Sequence, residues 1–292
     1  MIDLREVTKT VDQGIHIGPL TFQIEPGTVT ALVGTNGAGK STLIRLLTGM
    51  VFADGGYISR FNDAYKGEAW KEHVAYVPQT SLGYERFTLK QLAELSQIGY
   101  EQWDQAKFVR LLERFQLPQK KRFDSLSVGM QRKGLAALAL ARKTKLLIMD
   151  EALSGVDIEG QELLREEWVS YLDEDPDRAL LFATHVPDEV REFADYVVCM
   201  NGGALTGRYE KDELLARYGR LWTKGKPNLI RNIPGVVDVQ VSGGHCEVVT
   251  EDKWTTEQAL EKESLPVLMQ QGLRFSEILR LLLREGKGVE IQ

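Results

Sequence analysis

The apolar positions near the start of the chain come in short bursts separated by turn formers. Ile2 to Val7, Ile15 to Ile24 around Gly18-Pro19, and Thr28 to Val33 after Glu25-Pro26-Gly27 read as strands. After Gly39 the spacing changes, and Leu43, Ile44, Leu46 and Leu47 recur at helical intervals up to Gly49. A strand therefore feeds a glycine-rich turn that feeds a helix. From Leu89 to Leu117 the pattern is helical again, with Leu89, Leu92 and Leu95 ahead of Trp103-Asp104 and Phe108, Leu111, Leu112 and Phe115 behind it. Beyond this helical insert the spacing predicts a helix from Gly129 to Ala141, a buried strand Leu146 to Met149, a helix from Gly160 to Leu172, and strands Ala179 to Ala183 and Tyr196 to Met200. Strands alternating with helices predict an α/β fold around a mainly parallel sheet.

The last quarter reads differently. Tyr218 to Pro227 is rich in glycine and lysine and reads as a linker; Val236 to Val241 and His245 to Thr250 flank Ser242-Gly243-Gly244 as a hairpin; helices follow near Glu257 and from Phe275 to Arg284. These elements predict a small α+β appendage over residues 219–292, with Phe275, Ile278, Leu279, Leu282 and Leu283 forming an apolar stripe against the hairpin. No repeat, second glycine-rich turn or low-complexity segment stands out.

Composition narrows this picture. With 43% apolar and 27% charged residues over 292 positions, the chain has the make-up of one large globular domain plus an appendage. A formal net charge of -6 argues against a nucleic-acid partner, whose phosphates call for clustered Lys and Arg. The two cysteines, Cys199 in an apolar run and Cys246, form neither a metal pair nor a disulfide framework, which fits a reducing compartment. The opening residues lack the apolar core of a secretory signal, and no run reaches the roughly 18 apolar residues of a membrane helix. Any work at a membrane would pass through another polypeptide.

The chemistry concentrates in one motif. Gly34-Thr35-Asn36-Gly37-Ala38-Gly39-Lys40-Ser41-Thr42 satisfies G-x-x-x-x-G-K-[ST] in full, between a strand and a helix. Its glycines let backbone N–H groups turn toward phosphate oxygens, Lys40 reaches the terminal phosphates, and Ser41 is a ligand for Mg2+. A second element is the apolar run Leu146 to Met149 ending in Asp150-Glu151, where one acid suits hydrated Mg2+ and the next suits activation of water. Alone, two acids are also what a buried strand carries where it reaches solvent. His185, after Ala183-Thr184, suits a γ-phosphate contact and equally a hydrogen-bonded histidine at a strand end.

In order along the chain these residues, with Gln79 in Tyr76-Val77-Pro78-Gln79, Leu126-Ser127-Val128-Gly129-Met130, and Leu153-Ser154-Gly155-Val156-Asp157, resemble the ATP-binding subunits of ABC transporters over residues 1–218. The resemblance implies a P-loop NTPase core with a mainly parallel sheet, an antiparallel N-terminal β part, and a helical signature subdomain over about residues 80–140. It implies ATP and Mg2+ as cofactors, with Ser41, Asp150 and Gln79 on the metal and Glu151 and His185 in catalysis. Ser127, Gly129 and Asp157 would reach ATP held by a second subunit, so that two copies or two relatives dimerise head to tail. A transmembrane permease would be the other partner, holding the chain in the cytoplasm on the inner face of the cell membrane.

Three positions depart from the family's usual text. The signature reads LSVGM where LSGGQ is common, Ala152-Leu153 stands where Pro-Thr is usual, and Val11 occupies the position where an aromatic ring usually meets adenine. The text from Trp103 to the signature resembles exporters of small Gram-positive operons, which favours export. Two rivals remain. A soluble ABC ATPase of translation or DNA repair would carry two cassettes or long heptads; an ATP sensor without turnover would commonly lack the acid at Glu151.

Overall fold

The computed structural model describes residues 1–11, 15–80 and 83–284. The first half comprises β1 (Ile2–Val11), β2 (Ile15–Ile24), β3 (Val29–Gly34), α1 (Lys40–Leu47), β4 (Gly55–Arg60), β5 (Val74–Val77), α2 (Leu89–Gly99), α3 (Gln105–Arg114) and α4 (Val128–Leu140). There follow β6 (Leu146–Asp150), α5 (Ile158–Asp173), β7 (Ala179–Thr184), α6 (Pro187–Phe193), β8 (Tyr196–Asn201), β9 (Ala204–Glu210) and α7 (Lys211–Arg217). The remainder is β10 (Gly219–Thr223), α8 (Pro227–Ile230), β11 (Val236–Ser242), β12 (His245–Thr250), α9 (Lys253–Lys262), β13 (Val267–Gly272) and α10 (Phe275–Arg284).

A six-stranded sheet in the order β5-β6-β7-β3-β8-β9 forms the centre, parallel throughout except for β9 at its edge. Strands covered on both faces need apolar residues at every position, and β6 and β7 are buried from end to end. The pleat sends alternate residues to opposite cores: Leu146 and Ile148 join α1 and the N-terminal sheet, while Leu147 and Met149 join α4, α5 and the helical insert. The N-terminal sheet is antiparallel, with β1 between β2 and β4.

The insert is two helices, not one continuous run. Thr88 caps α2 by accepting the Gln91 N–H, and Asp104 caps α3 by accepting the Lys107 N–H, so the chain restarts at Asp104 after leaving helix at Tyr100. On the other side of α3, Arg110 makes a bidentate pair at 2.8 and 2.9 Å with Glu167 of α5, whose carboxylate is fully buried and also takes Arg114. This ties the insert to the central layer.

Two sequence expectations change in the last quarter. The expected linker holds β10, an inner strand of a four-stranded antiparallel sheet ordered β11-β12-β10-β13. Its alternation is what mattered: Leu221 and Thr223 are fully buried while Arg220 and Trp222 face the other side, a pattern masked by neighbouring glycine and lysine. With α8 and α9 as crossovers, β10 to β13 form a split β-α-β unit. The hairpin expected at Gly243-Gly244 is present; both glycines have positive φ, 58° and 80°, as a two-residue primed turn needs.

The second change concerns α10. Its stripe of Phe275, Ile278, Leu279 and Leu282 does not lie chiefly on the hairpin but joins the large core, packing on α6, β8 and β9. Asn201 Nδ2 donates to the Leu283 carbonyl, and Val249 of β12 is the hairpin's part in that core. Arg220 joins Glu247 and Glu277, both at 2.9 Å, so the four-stranded sheet and α10 are pinned together.

Candidate active site

Four neighbouring parallel strands end at the same edge and deliver the site. Beyond β3 comes the glycine-rich loop, beyond β5 comes Gln79, at the tip of β6 stand Asp150 and Glu151, and beyond β7 comes His185. Open α/β sheets bind ligands at the carboxyl ends of their strands, and the crossovers that separate these segments in sequence bring them together there.

The edge borders a cavity of about 420 Å³ lined by Asn36 through Thr42, Gln79, Asp150 and Glu151, with Val11, Ile15 and Ile17 on its other wall. Gly39 has φ 102°, and a Cβ there would stand 2.7 Å from Ile17 Cδ1, so only glycine turns the loop into α1 at this point. Gly34 has no room either, because a Cβ would meet the Met200 carbonyl at 2.5 Å.

Lys40 lies along the loop and donates to the carbonyls of Gly34 at 2.7 Å and Thr35 at 3.2 Å. Burial lowers its pKa, while Glu151 and Asp150 pull it back up. The Ser41 hydroxyl donates to Asp150 Oδ2 at 3.4 Å. Burial, followed by the neighbouring Glu151, raises the Asp150 pKa. Among the described residues no group of three or more His, Cys, Asp or Glu gathers to hold a metal. Ser41, Asp150 and Gln79 offer hard oxygen donors, which fit Mg2+, a cation that keeps waters and shares phosphate oxygens instead of needing an all-protein cage.

Glu151 stands in the left-handed region at φ 51°, with its N–H bonded to the Ala183 carbonyl at 3.0 Å. Its two carboxylate oxygens have separate partners: Oε2 accepts from Gln79 Nε2 at 3.0 Å, and Oε1 meets His185 Nδ1 at 3.2 Å. Gln79, Glu151 and His185 thus form one polar chain, of which Gln79 and Glu151 line the cavity.

Ser127, Gly129 and Asp157 are elsewhere. Ser127 caps α4, accepting the Met130 N–H at 3.3 Å, and a Cβ on Gly129 would stand 2.9 Å from the Gly155 carbonyl. These two segments press together, and none of the three residues lines the cavity. Val128 is 58% exposed and Ile158, just after Asp157, is 84% exposed. Ile15 and Ile17 were missed as cavity residues; their signal was the alternation Ile15-His16-Ile17, which puts both on one side of β2.

A glycine-rich loop holding a lysine, backed by a strand-tip Asp and Glu, defines a P-loop nucleoside triphosphatase. The family description "ABC transporter" matches residues 17–154. The ABC transporter ATP-binding protein YtrB of Bacillus subtilis is 27% identical over 219 residues, 75% of each chain. The Nod factor export ATP-binding protein I of Rhizobium etli is 29% identical over 251 residues, 83% of this chain and 74% of that one. Proteins named as import subunits, for sulfate/thiosulfate and for molybdenum, are similar as well. A solved ATP-binding subunit of an ABC transporter superposes with a TM-score of 0.66 at 25% identity, covering 73% of this chain and 91% of that one. Residues 17–154 therefore form an ABC transporter ATP-binding domain, and the protein is an ATPase of that class. Among the described residues no helix is long and apolar enough to cross a membrane.

Proposed function

We propose that this ATPase drives a separate transmembrane permease, and that it works as a head-to-tail pair with ATP at the seam. The observation that carries this reading is the incomplete site. Lys40, Ser41, Asp150, Glu151 and Gln79 border the cavity, whereas Ser127 and Gly129, a hydroxyl and bare backbone at a helix start, are outside it with nothing to cap. A second copy or a related subunit turned through a two-fold axis would bring them over the terminal phosphate, with Asp157 at the same seam, and would cover the exposed Val128 and Ile158.

In the completed site the loop N–H groups of residues 34–42 and Lys40 hold the phosphates. Ser41, Asp150 and Gln79 would hold Mg2+, which would supply neutralisation of the phosphate charge. Glu151 accepts a proton from the attacking water, and His185 orients that carboxylate and meets the γ-phosphate. Gln79 and His185 already hold both carboxylate oxygens of Glu151, so nucleotide entry re-pairs a site whose parts are present.

A hollow of about 500 Å³ bordered by Met50, Trp70, Tyr76, Tyr84 and Tyr100 lies between the central layer and the insert, and it suits a short helix of the permease. Residues 1–218 are the cassette on this reading, residues beyond 218 an extension, and the protein is peripheral on the cytoplasmic face of the cell membrane. Export rests on the likeness to exporter subunits.

The test uses the whole chain with Glu151→Gln. We expect ATP binding to persist, turnover to fall by about a hundredfold or more, and sedimentation to detect an ATP-dependent dimer. Parental turnover, or a monomer in saturating ATP, would defeat the reading. Purification of the wild type from membranes should recover a bound membrane polypeptide; recovery with ribosomes or DNA would favour the soluble alternative instead.

A further inference from the structure

Arg132 lies on α4, three residues beyond Gly129 and so about one turn and ~4.5 Å along the helix. Its Nη1 donates to the Pro78 carbonyl at 2.7 Å, bridging 54 positions of sequence. Pro78 is the residue before Gln79, and Gln79 holds Glu151. Around this contact is a hollow of about 260 Å³ bordered by Gln79, Thr80, Glu85, Val128, Gln131 and Arg132, so the guanidinium crosses a gap between the start of α4 and the Gln79 segment. Arg132 Nε is buried without a hydrogen-bond partner among the described residues, an unusual expense for a side chain whose purpose is only solvation. The charge senses the site as well: burial lowers its pKa, while Glu151 and then Asp150 raise it.

If sites are composite, α4 serves the nucleotide of the neighbouring subunit while Gln79 serves the chain's own. One hydrogen bond then joins the two. We propose that Arg132 is a positioning residue that links the signature helix to Gln79, so that capping of the partner's nucleotide by Ser127 and Gly129 sets the Gln79–Glu151 pair of the chain's own site. This rests on the composite-site reading above. The mechanism needs no change of charge and no new ligand. A shift of α4 moves a donor fixed to a rigid helix, the Pro78 carbonyl follows, and the Gln79 amide turns relative to Glu151.

The experiment compares wild type, Arg132→Ala and Arg132→Lys in the full chain, measuring Mg-ATP turnover, ATP affinity, the Hill coefficient and thermal unfolding. For Arg132→Ala we expect kcat about tenfold lower, ATP affinity within about twofold, and loss of cooperativity in ATP. Arg132→Lys keeps one donor for the Pro78 carbonyl, and recovery of kcat to within about threefold of wild type supports a positional role. Unchanged kcat and cooperativity in Arg132→Ala would overturn the inference, as would a loss in both variants that merely tracks the fraction unfolded. The two readings fail separately. A Glu151→Gln chain that stays monomeric in ATP sinks the composite site, whereas a normal ATP dimer with an indifferent Arg132→Ala sinks only the link.

Discussion

The two ends of the nucleotide cavity are built on different terms. At the phosphate end, loop backbone, a buried lysine and a hydroxyl beyond β3 meet two acids at the tip of β6, and each of these side chains has a named partner. At the other end, the described wall is the aliphatic trio Val11, Ile15 and Ile17. The first end grips charge through directional bonds that cannot be replaced by shape; the second offers only contact area. Recognition of the triphosphate should therefore be strong and of the base weak.

Three measurements test that contrast. Lys40→Ala should have the largest effect, because it removes a charge-assisted donor and leaves phosphates facing Asp150 and Glu151. ATP binding should weaken by about a hundredfold, read in an equilibrium titration. A smaller loss would mean that the loop N–H groups carry the grip alone.

Asp150→Asn probes the cost of that strong end. Asp150 has its pKa raised by burial and then by Glu151, so ionised Asp150 weakens the empty protein. With a folded pKa above the unfolded one, the penalty is full above the folded value, shrinks as pH falls below it and is gone below the unfolded value. The amide should raise the stability of the nucleotide-free chain by about 1 kcal/mol in thermal unfolding while abolishing Mg2+-dependent turnover. A destabilised variant would show that the Ser41 bond outweighs burial.

The smallest effect belongs to the base end. Val11→Tyr should tighten ATP by about threefold through ring stacking, and the parent should prefer ATP over GTP by no more than about threefold in competition. A strong preference in the parent would reveal a base-reading group beyond the aliphatic wall.

How far the sequence carried this picture follows from what each signal depends on. Phosphate-loop geometry is local, since it needs glycines at fixed offsets between a strand and a helix, and Gly34 to Thr42 displayed it openly. The parallel core was equally plain in Leu146 to Met149 and Ala179 to Ala183, whose uninterrupted apolar runs have few other uses. Short or weakly patterned elements are hard to read from sequence: β5 has four residues, β13 is largely exposed, and β10 is hidden by its glycine and lysine neighbours. Arg132 carried no sequence signal at all. Its meaning is a contact to Pro78, which neither periodicity nor motif can express. The α10 stripe was read correctly as apolar and assigned to the wrong surface, because an amphipathic pattern names a face but not its neighbour.

That surface matters before the protein is ever finished. The patch of α6 and β8 that α10 covers is complete once Asn201 is made, yet its cover begins only at Phe275. At ribosomal rates of about 5–20 residues per second, the nascent chain carries that patch bare for roughly 4 to 15 seconds. A chaperone arriving in that interval would find the apolar groove that α10 later fills.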